Sequence, residues 1–252
     1  MTGDVWAAGD AYEAYVGRWS RRVAPLFVEW LGVPAGRRWL DAGCGTGALS
    51  SAILASGPAD VVGVDPSQSF LRSALDATRV AGDAAALPLR DGAFDAVVSG
   101  LALNFVPDPA RAVAEFTRVA APGAVVAAYV WNYASGMQMM RHFWDVAAPD
   151  RDEGARFPIC REDALREAWS RAGLDEVRTR AIEIPTVFAG FDDYWTPFLG
   201  ATGPAPAYLA GLDSGERSRI RDALRRRLPA TASGDIALTA SAWAVRGRKT
   251  AG

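Results

Sequence analysis

The spacing of apolar residues divides the chain into three stretches. From Tyr12 to Leu31 they recur every three or four positions, at Tyr12, Tyr15, Val16, Trp19, Val23, Leu26, Phe27, Trp30 and Leu31. That is the spacing of one helix face. Pro25 falls inside this run and predicts two helices in place of one, because proline removes a backbone donor and its ring meets the preceding turn. From Trp39 to Val130, short apolar runs alternate with helical patterns. Trp39-Leu40, Val61-Val62-Gly63-Val64, a brief run ending near Gly82, Ala96-Val97-Val98-Ser99 and Ala124 to Val130 read as strands. Ala48 to Ser56 and Gln68 to Thr78 read as helices, the first closed by Gly57-Pro58. A third opens at Asp108-Pro109, an N-cap followed by proline at the first helical position, and Ala120-Ala121-Pro122-Gly123 turns the chain into its next strand. Beyond Trp131 the rhythm loosens. Helices are predicted at Met137 to Ala147 and Arg161 to Ala172, and late strands at Val177 to Val187 and Ile236 to Val245. Between those strands, Phe191 to Pro229 is rich first in Trp, Phe, Gly and Pro and then in helical pattern. An insertion of that length reads as a lid or substrate wall.

Alternating strands and helices predict an α/β domain with a mostly parallel sheet and helices on both faces. The reading is one domain over 1–252, with an N-terminal helical cap (1–36), a ligand-binding half (37–132) and a substrate-side half (133–252) carrying the insertion at about 190–230. Composition agrees: half of the 252 residues are hydrophobic and 22% are charged, a globular balance. A formal net charge of -2 gives no broad electrostatic case for a nucleic-acid partner, and Arg225-Arg226-Arg227 reads as the solvated face of an amphipathic helix. Cys44 and Cys160, the two cysteines, form neither a disulfide framework nor a zinc pattern and suit a reducing cytoplasm. The first residues lack a signal-peptide layout. Val119 to Met140 is uncharged and nearly as long as a membrane span, but Pro122, Gly123, Asn132, Ser135, Gly136 and Gln138 interrupt it. It reads as a buried strand with flanking turns, so no membrane association is expected.

The ligand chemistry is concentrated around Asp41-Ala42-Gly43-Cys44-Gly45-Thr46-Gly47, a glycine turn between a strand and a helix. Such a turn lets backbone N–H groups approach a ligand at the positive end of a helix. Asp41, directly before the glycines, suits a cationic ligand and would be a poor neighbour for a pyrophosphate. Gly43-x-Gly45-x-Gly47 also misses the dinucleotide fingerprint, which disfavours a nicotinamide-dependent oxidoreductase. Asp65, 22 residues after Gly43, ends the second strand, where a carboxylate accepts from both hydroxyls of a ribose. Asp83 ends the third, within reach of an adenine amino group, with the Ala84 N–H donating to the ring. Carboxylates at three successive strand ends lie on the rim where open α/β sheets bind ligands.

Leu40 to Gly47 resembles the first motif of the class I S-adenosylmethionine (SAM)-dependent methyltransferases, nearly letter for letter. Gly63-Val64-Asp65-Pro66-Ser67 resembles the second. Gly82-Asp83-Ala84, Leu87-Pro88, Phe94-Asp95 and Ser99 to Phe105 resemble the third and fourth. Tyr12 to Ser20 and Phe191 to Leu199 look like a bacterial small-molecule subgroup, the type 11 methyltransferases. The resemblance implies a Rossmann-like, doubly wound, seven-stranded sheet, SAM as methyl donor and S-adenosylhomocysteine as product. It also implies a cofactor site of Asp41, Ala42, Gly43, Cys44, Gly45, Asp65, Pro66, Asp83, Ala84, Ser99 and Leu101. Asp41 and Gly43, with a carbonyl near Leu101, would hold the methionine end. Asn104 stands where many relatives carry His, so no base is implied there.

The acceptor is expected to be a small molecule. Ser99-Gly100-Leu101-Ala102 replaces the Asn-Pro-Pro-Tyr type of motif found in enzymes that methylate DNA amines or glutamine side chains, and no Pro-Cys motif of cytosine-C5 enzymes appears. A macromolecular substrate and a non-catalytic SAM-binding role remain the alternatives. Methyl transfer from a sulfonium needs no acid, and it needs a base only if the acceptor must lose a proton. His142, the one histidine, lies at the edge of the stripe Met139, Met140, Phe143, Val146 and Ala147, as a base or as a boundary residue. Tyr133, Tyr194 and Asp193 are further candidates. Tyr12, Tyr15, Arg18 and Trp19 either fold over the cofactor or pack an amphipathic helix. Trp131, Phe143, Trp144, Tyr194, Trp195 and Phe198 either line an acceptor pocket or form plain core. No metal ligands are predicted.

Overall fold

A computed structural model describes residues 17–72, 77–151, 153–200 and 203–250. In chain order the elements are α1 (Arg18–Leu31), β1 (Arg38–Ala42), α2 (Ala48–Leu54), β2 (Asp60–Asp65), α3 (Gln68–Leu71), β3 (Thr78–Ala81), β4 (Phe94–Gly100), α4 (Pro109–Val119) and β5 (Ala120–Trp131). There follow α5 (Gln138–Ala147), α6 (Glu153–Arg156), α7 (Glu162–Arg171), β6 (Leu174–Phe188), α8 (Phe191–Trp195), α9 (Pro204–Ala210), α10 (Ser214–Arg227) and β7 (Ile236–Lys249).

The strands form one seven-stranded sheet in the order β3-β2-β1-β4-β5-β7-β6. β1 to β5 run parallel, and β7 enters antiparallel between β5 and β6. Side chains alternate along each strand, so the two faces carry separate cores. Trp39, Val61, Ala96, Val98, Ala127 and Trp131 meet α1, α2, α5 and the insertion helices on one face. Leu40, Val62, Val97, Val126 and Val130 meet α4 and α7 on the other. The Trp169 indole on α7 donates to the Val126 carbonyl at 2.8 Å, tying that layer to the sheet. Chain order reverses between β1 and β4, which opens a crevice at their C-terminal ends.

Three local expectations need correction. α1 is one helix that passes through Pro25. Pro25 is exposed, while Val23, Ala24, Phe27, Val28 and Leu31 are buried on the opposite side. Packing of that face carries the helix across the lost hydrogen bond. The helix predicted for Gln68 to Thr78 is described only over Gln68–Leu71, and Thr78 begins β3. β-Branched Thr78 and Val80 suit that edge strand. Gly123 sits within β5, where the register against β4 shifts between Phe94 and Ala96, so the expected turn is an irregularity inside the strand. Asp108 does cap α4, accepting from the Arg111 N–H at 3.0 Å with Pro109 at the start. Among the described residues no helix is long and apolar enough to cross a membrane.

Candidate active site

A cleft of about 480 Å³ opens along the C-terminal ends of β1 to β5. Asp41, Asp65 and Asp83 all line it, with Gly43, Cys44, Gly45, Pro66, Ala84 and Leu101. β1 delivers Asp41 to the floor, fully buried. The Ser50 hydroxyl donates to its Oδ2 at 2.6 Å, whereas Oδ1 is buried with no hydrogen-bond partner. Burial pushes the Asp41 carboxyl up to about 7; the Ser50 hydrogen bond opposes the rise and nearby Asp65 adds to it. A lone buried acceptor beside a cleft calls for a cationic donor.

Asp65 has a different environment. Its Oδ2 accepts from the Gly45 N–H at 2.9 Å and its Oδ1 from the Ser67 N–H at 2.8 Å. It therefore joins the loops after β1 and β2. Asp83 is exposed at the far end, where its Oδ1 accepts from the Ala85 N–H at 2.8 Å.

The glycine turn works otherwise than its sequence suggests. The N–H groups of Gly43 and Cys44 both donate to the Val64 carbonyl, at 2.7 and 3.0 Å, and Gly47 donates to Cys44 at 2.8 Å. With Gly45 bound to Asp65, these four donors are spent inside the protein. What glycine supplies is room: Gly43 has φ 77°, and a Cβ there would overlap the Ala102 Cβ. The turn after β1 thereby closes directly onto the turn after β4. Leu101, in that second turn, is buried with φ 57°, left-handed backbone that a leucine seldom adopts. Its N–H donates to the Tyr129 carbonyl at 2.8 Å.

Several expected residues lie elsewhere. Ala42 and Ser99 are buried beneath the cleft and do not line it. Strand alternation sends Ala42 among Leu40, Val62 and Val64 on the opposite face. Arg18 is also outside the lining. It pairs with Asp193 at 2.9 Å and lies over the Trp19 and Phe188 rings, at 4.4 and 4.8 Å. Asp193 is thereby committed to holding α1 against α8. Tyr12 and Tyr15 lie outside the described residues. His142 is not a lining residue either. Its Nδ1 is buried without a partner, and burial, then Arg227, lowers its pKa against the opposing pull of Asp145.

Trp131, Phe143, Trp144, Tyr194, Trp195 and Phe198 belong to the core of the first face. Phe143 and Phe198 stack at 4.6 Å and 10°, and Tyr194 meets Phe198 at 5.4 Å. The Tyr194 hydroxyl donates to the Met139 carbonyl at 2.8 Å, and burial pushes its pKa far up. None of the six lines the cleft. Tyr133 packs on Phe157 at 5.1 Å, beside the site and outside its wall. Burial, with Asp41 and Asp65 nearby, raises the Cys44 pKa well above the usual range, which disfavours its thiolate. Sequence reasoning passed over Ser20, Phe70, Phe105 and Tyr129, which do line the cleft. Tyr129 had a visible signal, as the one phenol in the Ala/Val-rich run of β5.

Sheet order and the alternation of strands and helices give the chain an α/β, Rossmann-like methyltransferase fold. Residues 40–128 match the family described as a methyltransferase domain. An uncharacterized methyltransferase of Mycobacterium tuberculosis is 43% identical over 112 residues, 43% of this chain and 45% of that protein. A demethylmenaquinone methyltransferase of Renibacterium salmoninarum is 39% identical over 127 residues, 49% of each chain. The chain thus spans about half the length of the curated relatives it matches. A putative methyltransferase from Bacillus halodurans superimposes with a TM-score of 0.60 at 13% identity, over 90% of this chain and 98% of the other, a likeness of fold.

Proposed function

We propose that the protein is a methyltransferase that binds SAM in this cleft and passes its methyl group to a small-molecule acceptor. The observation that carries the reading is the buried, unpartnered Oδ1 of Asp41, in the same cleft as Asp65 and Asp83. The donor set fits the group. Asp41 would accept from the methionine ammonium, Asp65 from the ribose hydroxyls, and Asp83 from the adenine amino group, with the Ala84 N–H donating to the ring. Pro66, Phe70 and Phe105 add apolar surface to the wall. When bound, SAM supplies a methyl group on a positively charged sulfur, a leaving group that needs no protonation.

The chain's own contribution is then to bind, orient and exclude water. Asp41, held by Ser50, fixes the charged end. The closure of Gly43 onto Ala102 narrows the floor, and left-handed Leu101 lines the same cleft. No histidine, lysine, arginine or glutamate lines the cleft among the described residues. The cited relative that acts on demethylmenaquinone supports a small organic acceptor; the net charge of -2 and the sequence after β4 support one over a nucleic acid.

Titration calorimetry with SAM, S-adenosylhomocysteine and NAD tests the ligand. The first two should bind and NAD should not; NAD binding without SAM would refute the reading. Mass-spectrometric detection of methylated products across a metabolite panel, a demethylated quinol included, separates an enzyme from a non-catalytic binder.

A further inference from the structure

We propose that Arg111 on α4 is a positioning residue for the adenine end of the cleft, acting through the backbone that follows Asp83. This rests on the reading of the cleft as a SAM site with Asp83 and Ala84 at the adenine. Both lie in the connection from β3 to β4, residues 82–93, which belongs to no helix or named strand. A site residue carried on such a stretch is only as well placed as whatever holds the stretch.

Here the holder is α4. Its apolar face, Ala112, Val113, Phe116 and Val119, is buried among the strand residues of the second core. Arg111, Glu115 and Arg118 recur at i, i+4 and i+7, so they form one stripe beside that face. Each meets the backbone of the connection. The Arg111 Nε donates to the Ala85 carbonyl at 2.9 Å, and Glu115 Oε2 accepts from the Leu87 N–H at 2.8 Å. The Arg118 guanidinium donates to the carbonyls of Leu87 and Leu89, at 3.0 and 2.8 Å, and to both oxygens of Glu115. Glu115 and Arg118 thus anchor the part beyond Ala86. Arg111 acts at Ala85, beside Asp83 itself. The Ala85 N–H donates to the Asp83 carboxylate at 2.8 Å, and the Ala86 N–H donates to the Asp83 carbonyl at 3.0 Å. The peptide unit joining Ala85 to Ala86 is therefore held at its oxygen by Arg111 and at its N–H by Asp83. Without Arg111 it is held at one end only, and the carboxylate is less firmly aimed. Arg111 is exposed and outside the cleft lining, so its influence on a ligand passes through Ala85 and Asp83.

Two ligands that differ only at the base test this. S-adenosylhomocysteine offers an amino group to Asp83, whereas S-inosylhomocysteine carries a carbonyl oxygen there, which a carboxylate cannot satisfy. Calorimetry on the wild type should therefore show a preference for the adenine ligand. Arg111→Met should weaken S-adenosylhomocysteine about threefold to tenfold, the worth of one hydrogen bond, and leave S-inosylhomocysteine within about twofold. Its melting temperature should stay within about 2 °C of wild type, as for a surface substitution. Arg111→Lys, which can still reach the carbonyl, should recover most of the preference. Asp83→Ala combined with Arg111→Met should bind no more weakly than Asp83→Ala alone, because Arg111 then has no carboxylate to place. Equal losses for both ligands, unchanged S-adenosylhomocysteine affinity, or additive losses in the double variant would overturn the proposal. A wild-type protein that binds neither ligand, or both alike, would instead refute the adenine assignment on which it stands.

Discussion

Asp41, Asp65 and Asp83 share a side chain and a cleft but differ in what each would lose on substitution. Asp83 is exposed and has its Ala85 contact within its own turn. Asp83→Ala should therefore weaken SAM by about 1–3 kcal/mol, the range for hydrogen bonds to a charged group, and leave stability nearly unchanged. Asp65→Ala should weaken binding by a similar amount and also lower the melting temperature, since Gly45 and Ser67 lose their acceptor. Calorimetry paired with thermal melts reads both; unchanged affinity in both folded variants would defeat the site assignment.

Asp41 adds a pH dependence whose sign is fixed. Its carboxyl is raised from an ordinary value near 4 to about 7, so the folded protein keeps a proton that the unfolded chain releases. The Asp41 contribution to the stability of the empty protein, read as the difference between wild type and Asp41→Asn, should fall as pH rises between about 4 and 7 and level off above, because over that window the folded carboxyl binds more protons. A cationic ligand favours the ionised carboxylate, so S-adenosylhomocysteine should bind more tightly at pH 7 than at pH 6. In Asp41→Asn that difference in affinity should vanish. The spacing of the three carboxylates was legible because each ends a strand in the sequence. The burial of Asp41 was not, because it depends on the packing of Ser50 and the turn after β4 around it.

At the scale of elements, α1 shows packing overriding local preference. The sequence signal at Pro25 is a break, yet the helix from Arg18 to Leu31 is continuous. Pro25→Ala restores one backbone hydrogen bond and relieves the ring clash. It should stabilise the protein by about 1–2 kcal/mol after allowing for the greater freedom of the unfolded chain, read as a higher urea midpoint at unchanged slope. The strands were legible for the opposite reason: their apolar runs suit a sheet covered on both faces. That same uniformity concealed Tyr129, because alternation assigns a face but does not reveal that the end of the strand borders a cleft. The aromatic residues of 191–198 were ambiguous in the same way. Core and pocket draw on the same residue types, and the stacking of Phe143 on Phe198 resolves this group as core.

Across the whole molecule, the strand and helix order of residues 39 to 130 was legible because each strand of a parallel sheet is followed by its own crossover. The remainder was less so. β6 and β7 are long partners, Leu174–Phe188 and Ile236–Lys249, separated in sequence by three helices, and nothing in their patterns fixes their register or their exchange of order. The family match ends at residue 128, before α5, the insertion and this pair of strands. Acceptor choice should therefore follow the second half. Exchanging 133–252 for the matching part of a relative should change the substrate accepted while preserving S-adenosylhomocysteine affinity within a few fold.

Because Gly43, Cys44, Gly45 and Gly47 spend their amide protons on Val64, Asp65 and Cys44, the glycine turn has its final shape before any ligand arrives. Deuterium should enter these amides slowly in the empty protein, and saturation with S-adenosylhomocysteine should slow them little further. A preformed wall of this kind spares the ligand the entropy of ordering a loop, so association there should be governed by diffusion and release by the contacts themselves.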